Sequence, residues 1–215
     1  HRTQLMTPVI GITGTNGKTT SKELIYCCLS TELNTLATEG NYNNHIGVPL
    51  TLLKVKKEHD IAIIEMGANH ENEIKYLCEI AKPNYGIITN IGKAHLEGFK
   101  NIEGVKKTKK ELYDYIKINR GKIFVNNEDA ILNEISKGID AISYGLNGEI
   151  NGIVKESSIF TNVQFNSHII ETKLIGTFQF YNIMLSIAVA SHFGIKLKNI
   201  SKALTTYKPN NNRSQ

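Results

Sequence analysis

Nothing in this 215-residue chain is long and apolar enough to cross a bilayer. The longest apolar stretch, around Ile183 to Ala190, is broken by Ser186 and falls well short of the roughly 20 residues a spanning helix needs. Membrane insertion is not expected. The residues present begin His1-Arg2-Thr3-Gln4 and run into a strand-like segment, without the charged-then-apolar pattern of a secretion signal. Cysteine is scarce. Cys27, Cys28 and Cys78 form no C-x-x-C pair, and adjacent Cys27 and Cys28 are poorly placed to bridge each other, so all three read as small core residues in a reducing cytoplasm. Aromatic residues make up only 7% and do not interleave with basic ones as in proteins that stack nucleic-acid strands. Lys and Arg are spread along the chain, so the net charge of +5 suits anionic small substrates as well as it suits nucleic acid, and no nucleic-acid partner is expected. Internal repeats and extended low-complexity tracts are also missing.

What is present is 40% hydrophobic and 21% charged, the balance of an ordinary globular domain, at a length that suits one large core. Pro8 to Thr13 is a short β-rich run, and Lys18 to Leu29 carries helical spacing through Leu24, Ile25, Cys28 and Leu29. The cycle recurs. Ile61 to Ile64 precedes Glu73 to Ala81, Gly86 to Thr89 precedes Ile102 to Ile118, and Gly121 to Val125 and Ile139 to Tyr144 flank a further helix. Strands apolar on successive residues, alternating with helices, predict an α/β fold of the P-loop type: a mostly parallel sheet flanked by helices. Near residues 148–175 the texture changes to short strand-like pieces, Ile150 to Val154, Ile159 to Phe165 and His168 to Leu174, which predict a small antiparallel meander. Helices return at Tyr181 to Phe193 and Ile200 to Thr206. Residues 1–208 then form one domain, and Pro209 followed by three Asn reads as the start, over 209–215, of a linker to a further C-terminal domain.

Gly14-Thr15-Asn16-Gly17-Lys18-Thr19-Thr20 sits between the first strand and the first helix, the context a phosphate-binding loop requires. Glycines let backbone N–H groups turn inward, the helix N-terminus adds positive potential, Lys18 offers a point charge and Thr19 a hydroxyl for Mg²⁺. The usual pattern has a glycine five positions before Gly17; here that residue is Ile12. Downstream, Glu65 ends a buried apolar strand, where sheet topology places ligand-binding groups, and is a candidate Mg²⁺ ligand. A strand-end glutamate can also be a plain surface carboxylate. His95 follows the next strand; alone it reads as an ordinary histidine, and beside Glu65 and one phosphate loop it reads as a second metal ligand.

The loop, Glu65-Met66-Gly67-Ala68-Asn69 and His95-Leu96-Glu97-Gly98-Phe99 stand in the order of the Mur ligase family, which this chain resembles along nearly its whole length. The resemblance implies that ATP binds through Gly14, Thr15, Asn16, Gly17, Lys18, Thr19 and Thr20. It implies that Thr19 and Glu65 share one Mg²⁺, that His95 holds a second, and that Arg213 in Pro209-x-x-x-Arg213 approaches the phosphates. Asn182 matches a family adenine contact, whereas Phe178 and Gln179 depart from the usual His and Asn. The family has three domains, and this chain resembles the central one; a UDP-binding domain and a C-terminal domain would flank it.

Glu39 to Leu53 is an amide-rich loop leading into an apolar helix, and Asn41, Asn43, Asn44 and His45 are candidate contacts for a peptide or carboxylate, or a solvated turn. As a string it resembles the branch of the family that adds D-alanyl-D-alanine to UDP-N-acetylmuramoyl tripeptide through an acyl phosphate. Other Mur-type ligases and folylpolyglutamate synthetases are alternatives within the family. A P-loop switch, in which nucleotide occupancy controls a partner, is the alternative outside it; a second metal at His95 would have no evident use there. Lys109 lies in the cationic run Lys106 to Lys110, yet at 3.6 residues per turn it falls among Ile102, Val105, Leu112 and Ile116, whereas Lys106, Lys110 and Lys117 share a side with Glu103 and Asp114. A lysine in an apolar stripe either snorkels or has a lowered pKa. In several Mur ligases the lysine matching Lys109, two residues before a Glu matching Glu111, is carbamylated and helps hold the second Mg²⁺, which the resemblance implies here.

Overall fold

The computed structural model describes residues 2–92, 101–155 and 159–209. Its frame is seven strands: β1 (Val9–Thr13), β2 (Thr35–Ala37), β3 (Ile61–Glu65), β4 (Tyr85–Ile88), β5 (Lys122–Asn126), β6 (Asp140–Gly145) and β7 (Ile150–Asn151). They form one sheet in the order β2-β3-β1-β4-β5-β6-β7, and every pairing in it is parallel. β1 and β3 are buried at all five positions, which is why their sequences are apolar without alternation: each side chain meets a helical layer whichever way it points.

The two layers divide the β1 side chains between them. Ile10 and Ile12 pack with α1 (Lys18–Leu29), α6 (Gln179–His192) and α7 (Leu197–Thr206). Val9 faces the other way, with Ile64, into the layer of α2 (Gly47–Leu53), α3 (Glu73–Ala81), α4 (Ile102–Ile118) and α5 (Ala130–Ile135). Leu24, Ile25 and Leu29 from α1 and Leu112 and Ile116 from α4 are fully buried, each worth about 1.5–3 kcal/mol of transfer free energy. From β1 the chain passes by α1 to β2 and then to β3 on one side. It next crosses by α3 to β4 on the other. The carboxyl ends of β3, β1 and β4 therefore border a topological switch point, where open α/β sheets bind ligands.

The predicted parallel sheet and the helices over Lys18–Leu29, Glu73–Ala81 and Ile102–Ile118 are all present. Three details differ. Thr35–Ala37 forms an edge strand too short for a period-2 pattern to announce. Ile150–Asn151 does not open the meander; it pairs in parallel with β6 and extends the main sheet, so the antiparallel part begins at β8 (Ile153–Lys155) and continues through β9 (Asn162–Phe165) and β10 (His168–Ile170). Ile102 is exposed at the first turn of α4, so the apolar stripe around Lys109 consists of Val105, Leu112 and Ile116. On the outer face of α4, Lys110 pairs with Asp114, while Lys106 reaches Glu134 and Lys107 reaches Glu71. Cys27, Cys28 and Cys78 are free thiols, and burial pushes the pKa values of all three up. No helix among the described residues is long and apolar enough to cross a membrane.

Candidate functional site

The loop between β1 and α1 takes a positive φ, which favours glycine, at two points. Gly14 has φ of 143° and Gly17, the residue that caps α1, has φ of 77°. A Cβ at Gly14 would lie 2.0 Å from Thr89 Oγ1, because the segment after β4 is folded tightly against the loop. Thr89 Oγ1 donates to Asn16 O at 2.6 Å, Asn90 accepts from Asn16 N and donates to Asn16 O, both at 3.0 Å, and Thr15 N donates to Asn90 O at 3.0 Å. Gly92 N donates to Thr15 Oγ1 at 3.0 Å. Thus the loop is braced before any ligand arrives, its helix N-terminus pointing at the switch point. The Lys18 ammonium arches over it, donating to Gly14 O at 2.8 Å and Thr15 O at 3.0 Å. Those are the donors a phosphate oxygen would compete for.

Glu65, at the carboxyl end of β3, is only 1% exposed, so it is not a plain surface carboxylate. Its Oε1 accepts from Asn43 Nδ2 at 2.9 Å and from the Thr19 hydroxyl at 3.3 Å. Oε2 is buried and makes no hydrogen bond; Lys22 Nζ on α1 stands 3.5 Å away. A buried carboxylate oxygen left without a hydrogen bond is unusual and marks a place where a cation is expected. Oxygen donors from Glu65 and Thr19 fit Mg²⁺, a hard cation that takes few protein ligands and completes its shell from phosphates and water.

Asn43 has a second task. Its carbonyl accepts from Gly67 N at 2.7 Å, so the amide-rich loop is fastened to the chain just after Glu65. Asn44, exposed like Asn41 and His45, braces the turn into α2, its Oδ1 accepting from Ile46 N at 3.0 Å and Gly47 N at 2.9 Å. These elements enclose a cavity of about 390 Å³ bordered by Gly14, Thr15 and Lys18 on one side, Asn43, Asn44 and His45 on another, and Gly67 to Asn69 on a third. Lys109 forms part of its wall and is 4% exposed. Burial, with the Lys18 ammonium adding to it, lowers the Lys109 pKa to about 8, against the opposing pull of the Glu111 and Glu73 carboxylates. Those carboxylates are themselves in use. Glu111 accepts from Asn72 N and Lys75 N, at 2.7 and 2.8 Å, across the start of α3, and burial raises its pKa against these hydrogen bonds. For Glu73 burial also pushes upward, yet hydrogen bonds from Asn69 N, His70 N and the His70 ring outweigh it and hold the carboxyl below its usual value.

Residues 12–190 match the Mur ligase middle domain. The chain belongs to the Mur ligase family. Among its relatives, the UDP-N-acetylmuramoyl-tripeptide–D-alanyl-D-alanine ligase of Bacillus subtilis (strain 168) is 32% identical over 209 residues, covering 95% of this chain and 46% of the relative. MurF from Acinetobacter baumannii superimposes with a TM-score of 0.87 at 34% identity, over 97% of this chain and 48% of that one. MurF from Thermotoga maritima, solved in complex with ADP, gives 0.80 at 27% identity, over 96% and 50%. The chain spans about half the length of these relatives.

Within this Mur ligase domain, Asn182 lies on α6 beside the phosphate loop: a Cβ at Gly17 would meet its Oδ1 at 3.0 Å. Its amide is engaged inside the protein, accepting from Ser21 Oγ at 3.1 Å and donating to Gln179 Oε1 at 2.8 Å. It locks α6 to α1 at the level of the loop. Gln179 is thus buried as its partner, while the neighbouring Phe178 is exposed. Thr20 is half-buried in the first turn of α1. His95 and Arg213 lie outside the described residues. Sequence reasoning missed Thr89, Asn90 and Gly92, which brace the loop from the segment after β4, and Lys22 and Thr38, which surround Glu65; Thr38 Oγ1 accepts from Glu65 N at 3.0 Å. A helical-wheel reading of α1 contains the signal for Lys22, since it falls on the buried side with Ser21 and Ile25.

Proposed function

We propose that this chain is the nucleotide-binding core of an ATP-dependent carboxylate–amine ligase of the cytoplasm that joins D-alanyl-D-alanine to UDP-N-acetylmuramoyl tripeptide in peptidoglycan precursor synthesis. The observation that carries the reading is the shared cavity: Gly14, Thr15 and Lys18 of the phosphate loop face the amide loop Asn43 to His45 across one space, so a nucleotide phosphate and a peptide carboxylate can meet there. The relatives at 32% and 35% identity, over 95% and 97% of this chain, carry that activity in their names.

In this reading a carboxylate oxygen of the tripeptide attacks the γ-phosphorus of ATP, the bond to the β-phosphate oxygen breaks, and ADP leaves an acyl phosphate. The amine of D-alanyl-D-alanine then attacks the acyl carbon, loses a proton, and inorganic phosphate departs. The chain's contribution is positioning and charge neutralisation. Lys18 exchanges its carbonyl partners in the loop for phosphate oxygens, and the N–H groups of Gly14 to Thr20 hold the phosphates at the start of α1. Thr19 and Glu65 would hold Mg²⁺, which when bound offsets the charge of the phosphates. Asn43, with Asn41, Asn44 and His45 around it, orients the peptide end, and Asn182 sets the helix beside the nucleotide. By the family resemblance, His95 would help hold a second Mg²⁺ and Arg213 would serve the phosphates. Lys109, with its lowered pKa, supplies neutral amine that adds to CO₂ and loses a proton, giving a carbamate anion at the cavity wall for that second site. Residues 1–208 form the central domain, and flanking domains bring the UDP moiety and the amine.

The deciding experiment uses the protein with all the sequence its gene encodes. ADP release should require UDP-N-acetylmuramoyl tripeptide and D-alanyl-D-alanine together, with the pentapeptide product found by mass spectrometry. Release that needs a different amine would point to another branch of the family, and hydrolysis indifferent to both substrates to a nucleotide-driven switch.

A further inference from the structure

Glu65 divides its two oxygens between different neighbours. Thr19 and Asn43 take Oε1, and Oε2 is left with no hydrogen bond and with Lys22 Nζ at 3.5 Å. The side chains of Lys22 and Glu65 are 4% and 1% exposed. The oxygen that remains for a cation is therefore the one that already faces an ammonium. We infer that Lys22 is a built-in counter-cation that keeps a divalent metal off Glu65 until nucleotide phosphates bring enough negative charge to admit one.

Two features favour this over a purely structural ion pair. At 3.5 Å without a hydrogen bond, the contact neutralises the buried carboxylate but does not engage it in the short directed geometry that makes buried pairs strong. Lys22 also borders a second cavity, of about 410 Å³, on the side away from the phosphate loop, and Glu23 and Glu39 stand in its wall. An ammonium displaced from Glu65 has carboxylates to move toward, although Glu39 is already paired with Lys54 and Glu23 accepts from the Tyr207 hydroxyl. A divalent ion entering alone at Glu65 Oε2 would meet the positive charge of Lys22 directly, and in a low-dielectric site that repulsion is not screened by water. With phosphates present the sum reverses. Metal would thus arrive with the nucleotide and not before it.

The inference rests on the proposed nucleotide–metal reading but can fail separately from it. Mn²⁺ serves as the probe for Mg²⁺, and free Mn²⁺ is measured by electron paramagnetic resonance on the full-length protein without nucleotide, after melting curves have established folding. Lys22→Met and Lys22→Gln should bind Mn²⁺ at least about tenfold more tightly than wild type, a change of about 1.4 kcal/mol, whereas Lys22→Arg should not. Adding Glu65→Gln to Lys22→Met should remove the gain. Neutral variants that bind no more tightly than wild type, or a gain that survives Glu65→Gln, would overturn the role of Lys22. Should the neutral variants fail to fold, wild type decides: Mn²⁺ must bind at least about tenfold more weakly alone than with saturating ADP, and equal affinities overturn the inference. Absence of ADP binding would instead count against the nucleotide reading.

Discussion

Replacing Lys109 by methionine should make the fold more stable while abolishing ligation. Lys109 is buried against Val105 and Leu112 in the wall of the main cavity, and its pKa falls from the ordinary 10.5 to about 8. At about 1.36 kcal/mol per pKa unit, that drop corresponds to a burial penalty of roughly 3 kcal/mol for the protonated amine. The group is 4% exposed, so water offers little relief. Below pH 8 the folded and unfolded chains both hold the proton and the whole penalty applies. Between pH 8 and 10.5 only the unfolded chain stays protonated, so wild-type stability at this position rises with pH, and above 10.5 the penalty is gone. Methionine has similar length and no charge. Urea unfolding of wild type and Lys109→Met in CO₂-free buffer should therefore differ by up to about 3 kcal/mol in favour of the variant at pH 7, with the gap closing toward pH 10.5. Groups remote from position 109 titrate alike in both proteins and cancel in the difference, whereas Lys18, Glu73 and Glu111, whose charges act on Lys109, contribute to it. A variant no more stable than wild type at pH 7, or a gap that ignores pH, would show that the burial argument is wrong.

Lys18→Ala should end ATP turnover while leaving the melting temperature within a few degrees of wild type, since the half-buried side chain lies on the loop, where its ammonium donates to the neighbouring carbonyls of Gly14 and Thr15, and not in the core; retained turnover would remove Lys18 from the phosphate site. Gly14→Ala places a Cβ 2.0 Å from Thr89 Oγ1 at a φ of 143°, and should cost at least about 1–3 kcal/mol in chemical unfolding and abolish nucleotide binding by calorimetry. Asn43→Ala strips Glu65 Oε1 of its 2.9 Å donor, a charge-assisted bond worth about 1.5–3 kcal/mol, and should lower stability by that order and raise the Mg²⁺ concentration needed for half-maximal turnover; an unchanged Mg²⁺ requirement would sever the amide loop from the metal site.

What the sequence made legible follows from where each kind of information resides. The β1, β3 and β4 strands and the helices over Lys18–Leu29, Glu73–Ala81 and Ile102–Ile118 were readable because burial on two faces, or on one stripe, leaves a periodic trace in consecutive residues. β2 was not, since three residues cannot display a period, and although Ile150 to Val154 read as strand-like, the place of β7 in the main sheet is decided by the strand it pairs with. The same division runs through the site. Gly14 to Thr19 and Glu65 announce themselves locally, as a loop pattern and a strand end, and Lys109 as a cation out of phase with its helix face. The groups that make those residues usable come from elsewhere in the chain: Thr89 and Asn90 brace the loop from 73 and 74 residues away, and Asn43 holds Glu65 from 22. Lys22 falls between the two cases. Its position on the buried side of α1 is visible in the helical spacing, but only the fold supplies the unsatisfied carboxylate oxygen it faces, and with that the reason for a cation inside a core. A charged residue on an apolar face is thus a question the sequence can raise by itself, whereas its answer lies in whichever partner the sheet order brings alongside.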